Sequence, residues 1–332
     1  MGASVKLVDY YLPEKVITNK DLEIEFKKWE ADKIYKKIGI NERHVTGKDE
    51  TAVDLAYEAA LKVMKNYDRE KIDFLILCTQ SPDYFLPTSA CVLQDKLGLR
   101  KDIGAFDFNL GCSGYVYGLA ISKGLINSGI AGSVLLIMSE TYTRHIHPMD
   151  LANRTIFGDG AAATIIEYDQ NEHIFNFTLG TDGSGMANLI VQNGGMKSPK
   201  DPEAIEITNT SGDVSTANCL YMNGPEIFNF TIDAVPVAFN DVLQKNNLTL
   251  DGIDFVIFHQ ANKYMIDFLR KKLAIPEEKF FVDMADTGNT VSATIPIGLK
   301  KALDKKLIVK GNKVLLCGFG VGYSWGATII EI

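Results

Sequence analysis

Three polar residues stand where apolar runs stop, and each could take part in catalysis. Cys112 lies in "FDFNLGCSGYVYGL" (106–119), where a strand-like run meets Gly111 and Gly114 opens a stretch with helical apolar spacing. A thiol at a helix start faces unpaired N–H groups and the positive end of the helix dipole. The expectation is therefore a lowered pKa and a reactive thiolate. His259 ends the apolar run of "FVIFHQAN", and Asn289 sits between Gly288 and Thr290 in "DTGNTVSAT". Each has an ordinary structural reading as well. A buried cysteine packs as a small hydrophobe, a strand-end histidine as a hydrogen-bonded core residue, and an asparagine beside glycine as a turn or helix cap.

A repeat brings the three together. "KIDFLILCTQ" (71–80) and "GIDFVIFHQA" (252–261) are nearly the same phrase. They are followed by similar closings, "LQDKLGLRKDIGAFDF" and "LRKKLAIPEEKFFVDM", and later by "GSVLLIMSE" (132–140) and "GNKVLLCGF" (311–319), all at nearly the same offset. Three pairs in one order indicate an internal duplication. Strands alternating with helical segments indicate an α/β architecture. The halves are read as 1–170, carrying Cys112, and 171–332, carrying His259 and Asn289. Asn289 falls where Cys112 falls in the other half, so the three side chains are expected at one cavity between the halves. The polar stretch from about 165 to 225 predicts turns and short strands.

Near the C-terminus, "LCGFGVGYSWGATIIEI" places Gly318, Gly320, Gly322 and Gly326 in a tight loop between strands, whose N–H groups could hold an oxyanion. "GYSWG" formally matches the nucleophile elbow of serine hydrolases. An elbow needs a helix after the serine, and a strand-like run follows instead. Composition narrows the field further. A formal charge of −8 and a pI of about 5.3 argue against nucleic acid as the main partner. No apolar run reaches the roughly 18 residues of a membrane span, and the opening residues lack the apolar core of a signal peptide. Five cysteines without C-x-x-C spacing point away from disulfides and zinc, and toward the cytoplasm.

On these motifs, together with "YYLPEKVITNKDLE", "KIGINERHV", "LPTSACVLQDKLG" and "IFGDGAAATI", the chain resembles β-ketoacyl-acyl-carrier-protein synthase III, a thiolase-like condensing enzyme. The resemblance implies a five-layered α-β-α-β-α duplication and a homodimer. It implies decarboxylative condensation of an acyl primer, held on Cys112, with malonyl carried by acyl-carrier protein. His259 and Asn289 would polarise the malonyl thioester, and the N–H groups of Cys112 and Val321 would hold the oxyanion. Substrates would come on phosphopantetheine thioesters, of acyl-carrier protein and possibly coenzyme A, with no metal and no permanently bound cofactor. The acyl pocket and pantetheine tunnel would draw on Leu86, Met222, Phe228, Asn262 and Phe319. Lys263, Arg270 and Lys271, on a helix after His259, would dock the acidic carrier protein. An acyltransferase on the same fold, working without decarboxylation, is the alternative.

Two departures shape further expectations. The indole and guanidinium that clamp the adenine of coenzyme A in the family align with Lys33 and Leu151, while Trp29 and Arg154 lie nearby but shifted. The expectation is a primer delivered by a carrier protein. The pocket-floor Phe that reaches across the family's dimer aligns with Leu86, which predicts room for primers longer than acetyl.

Overall fold

The apolar runs are buried on both faces, which requires packed layers above and below each of them. In the computed structural model, which describes residues 2–332, they form two sheets. The first contains β1 (Gly2–Tyr11), β2 (Phe74–Cys78), β3 (Gly104–Phe108), β4 (Ser133–Glu140) and β5 (Gly160–Asp169), in the order β1-β5-β4-β2-β3. The second contains β6 (Ile174–Thr181), β7 (Phe255–Phe258), β8 (Phe280–Phe281), β9 (Lys313–Gly320) and β10 (Ser324–Glu331), in the order β6-β10-β9-β7-β8. The two orders are the same. The register agrees too: Ile76 pairs with Leu136 in the first sheet, as Ile257 pairs with Leu316 in the second, both in parallel ladders.

The helices are α1 (Asn19–Phe26), α2 (Ala31–Ile38), α3 (Ala52–Met64), α4 (Ser89–Lys96), α5 (Gly114–Asn127), α6 (Leu151–Ile156), α7 (Gly224–Lys245), α8 (Lys263–Lys272) and α9 (Thr294–Asp304). Helices α5 and α9 touch both sheets and form the middle layer. Helices α3 and α4 cover the outer face of the first sheet, and α7 that of the second, with α8 against α7. The result is the five-layered arrangement.

Local sequence explains the placement. Helix α3 starts on a Thr51–Asp54 capping box and buries Val53, Ala56, Ala60 and Val63, a helical spacing of small residues that lets it lie flat on the sheet. The middle helix α5 buries residues most of the way round and uses Gly118 for close contact, since a Cβ there would lie 2.7 Å from the Leu136 side chain. The polar 165–225 stretch does hold short strands, with Leu189–Val191 pairing to Leu220–Met222 and Ile207–Thr208 to Val214–Ser215. It also holds β6, a full edge strand. Only Ile174 and Thr178 of β6 are fully buried, among half-buried and exposed neighbours, so its sequence never reads as an apolar run.

One side chain anchors the start of α4. The Asp107 carboxylate on β3 accepts the N–H groups of Ser89 and Ala90, both at 2.6 Å, while its own N–H donates to Thr88 Oγ1 at 3.1 Å. It does the work that a cap residue of the helix itself would do. Asp107→Ala is expected to cost about 1–2 kcal/mol. A urea midpoint lowered at constant slope would register this loss, and an unchanged midpoint would mean that water replaces the carboxylate freely.

Candidate active site

The Cys112 loop joins β3 to α5, as the Asn289 loop joins β8 to α9, so the two residues occupy equivalent places in the halves. His259 follows directly on β7, its N–H held by the Cys317 carbonyl at 2.8 Å. The Cys112 loop packs against β9 with no room for side chains between them. A Cβ on Gly318 would lie 2.6 Å from the Cys112 carbonyl oxygen, and one on Gly320 2.8 Å from Cys112 Sγ. Ser113 Oγ and Ser324 Oγ, 2.7 Å apart, pin the loop to β10. The backbone N–H groups of Cys112 and Val321 lower the pKa of the Cys112 thiol.

Asn289 is fixed at both ends. Its N–H donates to the Ile156 carbonyl at 2.9 Å, and its carbonyl accepts from Gly158 at 3.0 Å. Its Oδ1 accepts the Val291 N–H at 2.9 Å, so the amide NH2 is the end left for a ligand. Val291 has φ +55°, a strained conformation for a β-branched residue, held here by those contacts. His259 Nδ1 lies 2.7 Å from Thr294 Oγ1, which is also 3.0 Å from the Val291 carbonyl. The hydroxyl has one proton for two acceptors. When it turns that proton to Nδ1, His259 carries its own on Nε2 as a donor.

Cys112, His259 and Asn289 line one cavity of about 150 Å³, with Met222, Asn262, Phe319 and Gly320 in its wall. Asn262 also caps α8, its Oδ1 accepting the Met265 N–H at 3.0 Å. Two expected wall residues lie elsewhere. Leu86 is 82% exposed on the loop before α4, outside the cavity of its own chain. Phe228, half-buried on α7 and outside the cavity wall, packs on Tyr264 and Phe268, with ring centroids 5.7 and 5.2 Å away. A Phe one helical turn from the cavity looks the same in sequence as one inside it.

The expected thiolate is corrected as well. Burial pushes the Cys112 thiol up to about 12, and the nearby Glu140 adds to the rise; the two N–H groups at the sulfur offset only part of it. Burial drives His259 down to about 3, so it is neutral. Glu140 escaped the sequence reading. It is buried at the end of β4, pushed up to about 8 by burial, and accepts from the Gln80 N–H at 3.1 Å and from Ser292 Oγ at 3.0 Å. Its signal in the sequence was a carboxylate closing an otherwise apolar strand.

Two surface features lie nearby. Lys263 and Lys271 border a shallow cleft with Lys36 and Lys37 of α2, whereas Arg270 turns away to the Ile275 carbonyl at 3.2 Å and Glu277 at 3.7 Å. Trp29 lines a cavity of about 400 Å³ with Lys28, Lys33 and Lys37. Leu151 is buried, and Arg154 is held by both oxygens of Glu25, at 2.7 and 2.9 Å.

Comparison with known proteins agrees with this geometry. Residues 106–183 match the family model for 3-oxoacyl-[acyl-carrier-protein] synthase III, and residues 243–332 match the model for its C-terminal part. The chain is 37% identical to a β-ketoacyl-[acyl-carrier-protein] synthase III of Fusobacterium nucleatum, over 98% of both chains. It superposes on a 2.1 Å crystal structure of a 3-oxoacyl-(acyl-carrier-protein) synthase III with TM-score 0.99 and 45% identity, covering all of both chains. The Thermus thermophilus synthase III gives TM-score 0.89 at 32% identity, with 99% of each chain covered.

A thiol near 12 beside a neutral imidazole has no ion pair to hold it as thiolate. Alkylation of Cys112 by iodoacetamide is expected to quicken about tenfold per pH unit from about pH 7 to 9, following the thiolate fraction. A rate already flat near neutrality would reveal a Cys–His ion pair instead.

Proposed function

The chain belongs to the 3-oxoacyl-[acyl-carrier-protein] synthase III family, and on that premise we propose a division of labour within its cavity. The enzyme joins an acyl primer to malonyl-acyl-carrier protein by decarboxylative Claisen condensation. Cys112 Sγ attacks the primer thioester, and its proton leaves with the departing thiol. The acyl group waits as a thioester of nearly equal energy. Malonyl then enters on its phosphopantetheine arm, with its thioester oxygen facing His259 Nε2–H and the Asn289 NH2. Loss of CO₂ leaves an enolate, whose negative oxygen those donors stabilise. Its carbon attacks the acyl-cysteine. The oxyanion so formed accepts the N–H groups of Cys112 and Val321, and its collapse releases the 3-oxoacyl thioester and the cysteine. The observation that carries this reading is a cysteine sulfur pressed against the backbone at Gly320, in one cavity with His259 and an asparagine whose acceptor end is already occupied.

The same reading extends to the surroundings. Residues 1–170 supply the nucleophile, and residues 171–332 supply the donors. Two copies pair, with the loop carrying Tyr84, Phe85 and Leu86 buried between them; exposures of 59, 81 and 82% support this. The protein works in the cytoplasm, consistent with its five free cysteines. The cluster of Lys36, Lys37, Lys263 and Lys271 meets the acidic carrier protein, without Arg270. For the primer, Trp29 supplies the aromatic face that positions 33 and 151 lack, and three lysines border its cavity. That arrangement suits the nucleotide end of coenzyme A and replaces the expectation of a carrier-protein donor.

Cys112→Ala should abolish the acyl-enzyme mass shift. His259→Ala and Asn289→Ala should each lower CO₂ release by about 10²–10³-fold while Cys112 still acylates. Acylation lost with decarboxylation intact would reverse the assignment. The carriers separate in a second experiment. Trp29→Ala should raise KM for the coenzyme A donor at least about fivefold, since stacking a base contributes about 1–3 kcal/mol. Lys263→Glu with Lys271→Glu should raise KM for malonyl-carrier protein, more at low salt. An unchanged coenzyme A KM in Trp29→Ala would return the primer to the carrier protein.

A further inference from the structure

A cleft of about 580 Å³ takes no part in the steps above. It shares only Phe157 with the wall of the catalytic cavity, and no residue with the Trp29 cavity. Lys15, Arg43, Lys48, Arg144 and Arg154 line it, and no carboxylate does. That is a local reversal of sign on a chain whose formal charge is −8. Glu25 neutralises Arg154, but no carboxylate among the described residues pairs with the other four. Arg43 is the unusual member. It is 1% exposed, on the short strand Glu42–His44 that pairs with Val16–Thr18. Its Nη1 donates to the Ile17 carbonyl at 3.0 Å, and its Nη2 to Asn19 Oδ1 at 2.7 Å and the Thr155 carbonyl at 2.8 Å. Those acceptors are all neutral, and the buried Nε–H meets no acceptor among the described residues. A buried cation without an anion is unfavourable. Burial and the nearby Arg154 accordingly push this guanidinium down to about 10.

A ligand can supply the missing anion. Lys15, Lys48 and Arg144 are exposed at the cleft, within reach of an incoming group. A phosphate meets several cations at once better than a carboxylate does, because it carries more charge and more free oxygens. The same cleft has an apolar side, made by Ile17, Val45, Ile146 and Phe157. Its volume lies in the range of small-molecule sites and far exceeds what a bare phosphate fills. We propose that this cleft binds a small organic phosphate ester, with its oxygens facing Lys15, Lys48 and Arg144, its charge offsetting that of Arg43, and its apolar part on Ile17, Val45, Ile146 and Phe157. The site is separate from the place offered to coenzyme A at Trp29, and it stands whether or not the chain condenses acyl groups.

Equilibrium dialysis of the full chain against phenyl phosphate and against inorganic phosphate, at low salt, tests the site. Phenyl phosphate is expected to saturate one site per chain and to bind at least about tenfold tighter than inorganic phosphate, because its ring is buried as well. Lys15→Ala with Lys48→Ala removes two exposed cations and should weaken phenyl phosphate at least about tenfold, the loss shrinking as salt rises. Lys33→Ala with Lys37→Ala, at the Trp29 cavity, should change the affinity by no more than about twofold, since sites without shared partners act independently. Loss of binding in the Lys33/Lys37 variant with none in the Lys15/Lys48 variant would overturn the inference and move the phosphate to the Trp29 cavity. Equal affinity for the two probes would remove the organic part of the proposal, and wild-type protein that shows no saturable binding at millimolar phenyl phosphate would remove the site.

Discussion

At Gly318 and Gly320 the backbone of β9 runs against the Cys112 loop at a distance that no side chain fits. This contact joins the two halves at the point of chemistry. It sets the backbone around Val321 beside a sulfur contributed by the other half, and it fixes the position of His259, just past the neighbouring strand β7, relative to that sulfur. Elsewhere the sheets can tolerate adjustment through flexible side chains between them. Here backbone meets backbone, and a methyl group would have to push the nucleophile's own carbonyl aside.

The same closeness governs the electrostatics. A dry, tightly packed site disfavours every charge, so cysteine and histidine rest neutral, and the helix start that would favour a thiolate is outweighed by burial. Neutrality suits the task. The negative charge appears only as bonds change, and in a poorly screened site each fixed N–H acts on it strongly. Glu140 belongs to this balance. By accepting from Gln80 and Ser292 it ties the loop after β2 to the turn after Asn289, across the boundary between halves. Its raised pKa keeps much of that bridge uncharged near neutrality.

What could be read in advance follows a physical line. The duplication and the equivalence of positions 112 and 289 were legible, because they are carried by strand phrases whose apolar character does not depend on context, whereas the five layers followed only from the family resemblance. Met222, Asn262 and Phe319 reach the cavity as expected while Phe228 does not, and Arg270, expected at the docking face, turns away from the lysine cleft. The difference is one of rotation about a helix axis, which a single sequence states only weakly. Strand β6 was not legible because only two of its residues, Ile174 and Thr178, are fully buried. The acidity of Cys112 was misjudged because a dipole can be read from neighbours in sequence, whereas the desolvation that beats it comes from residues far along the chain.

The shared middle layer says something about origins. Helix α5 packs on both sheets, and so does α9. A half-length chain on its own would have left the inner face of its sheet and one side of that helix bare to water. Such a chain could persist only as two identical copies pressed together. In such a pair the residue before the central helix would be encoded once and appear twice, so nucleophile and hydrogen-bond donor could not differ. A single chain holding both halves gives positions 112 and 289 separate codons. The asymmetry of the cavity, a thiol on one side and an amide on the other, became possible only then.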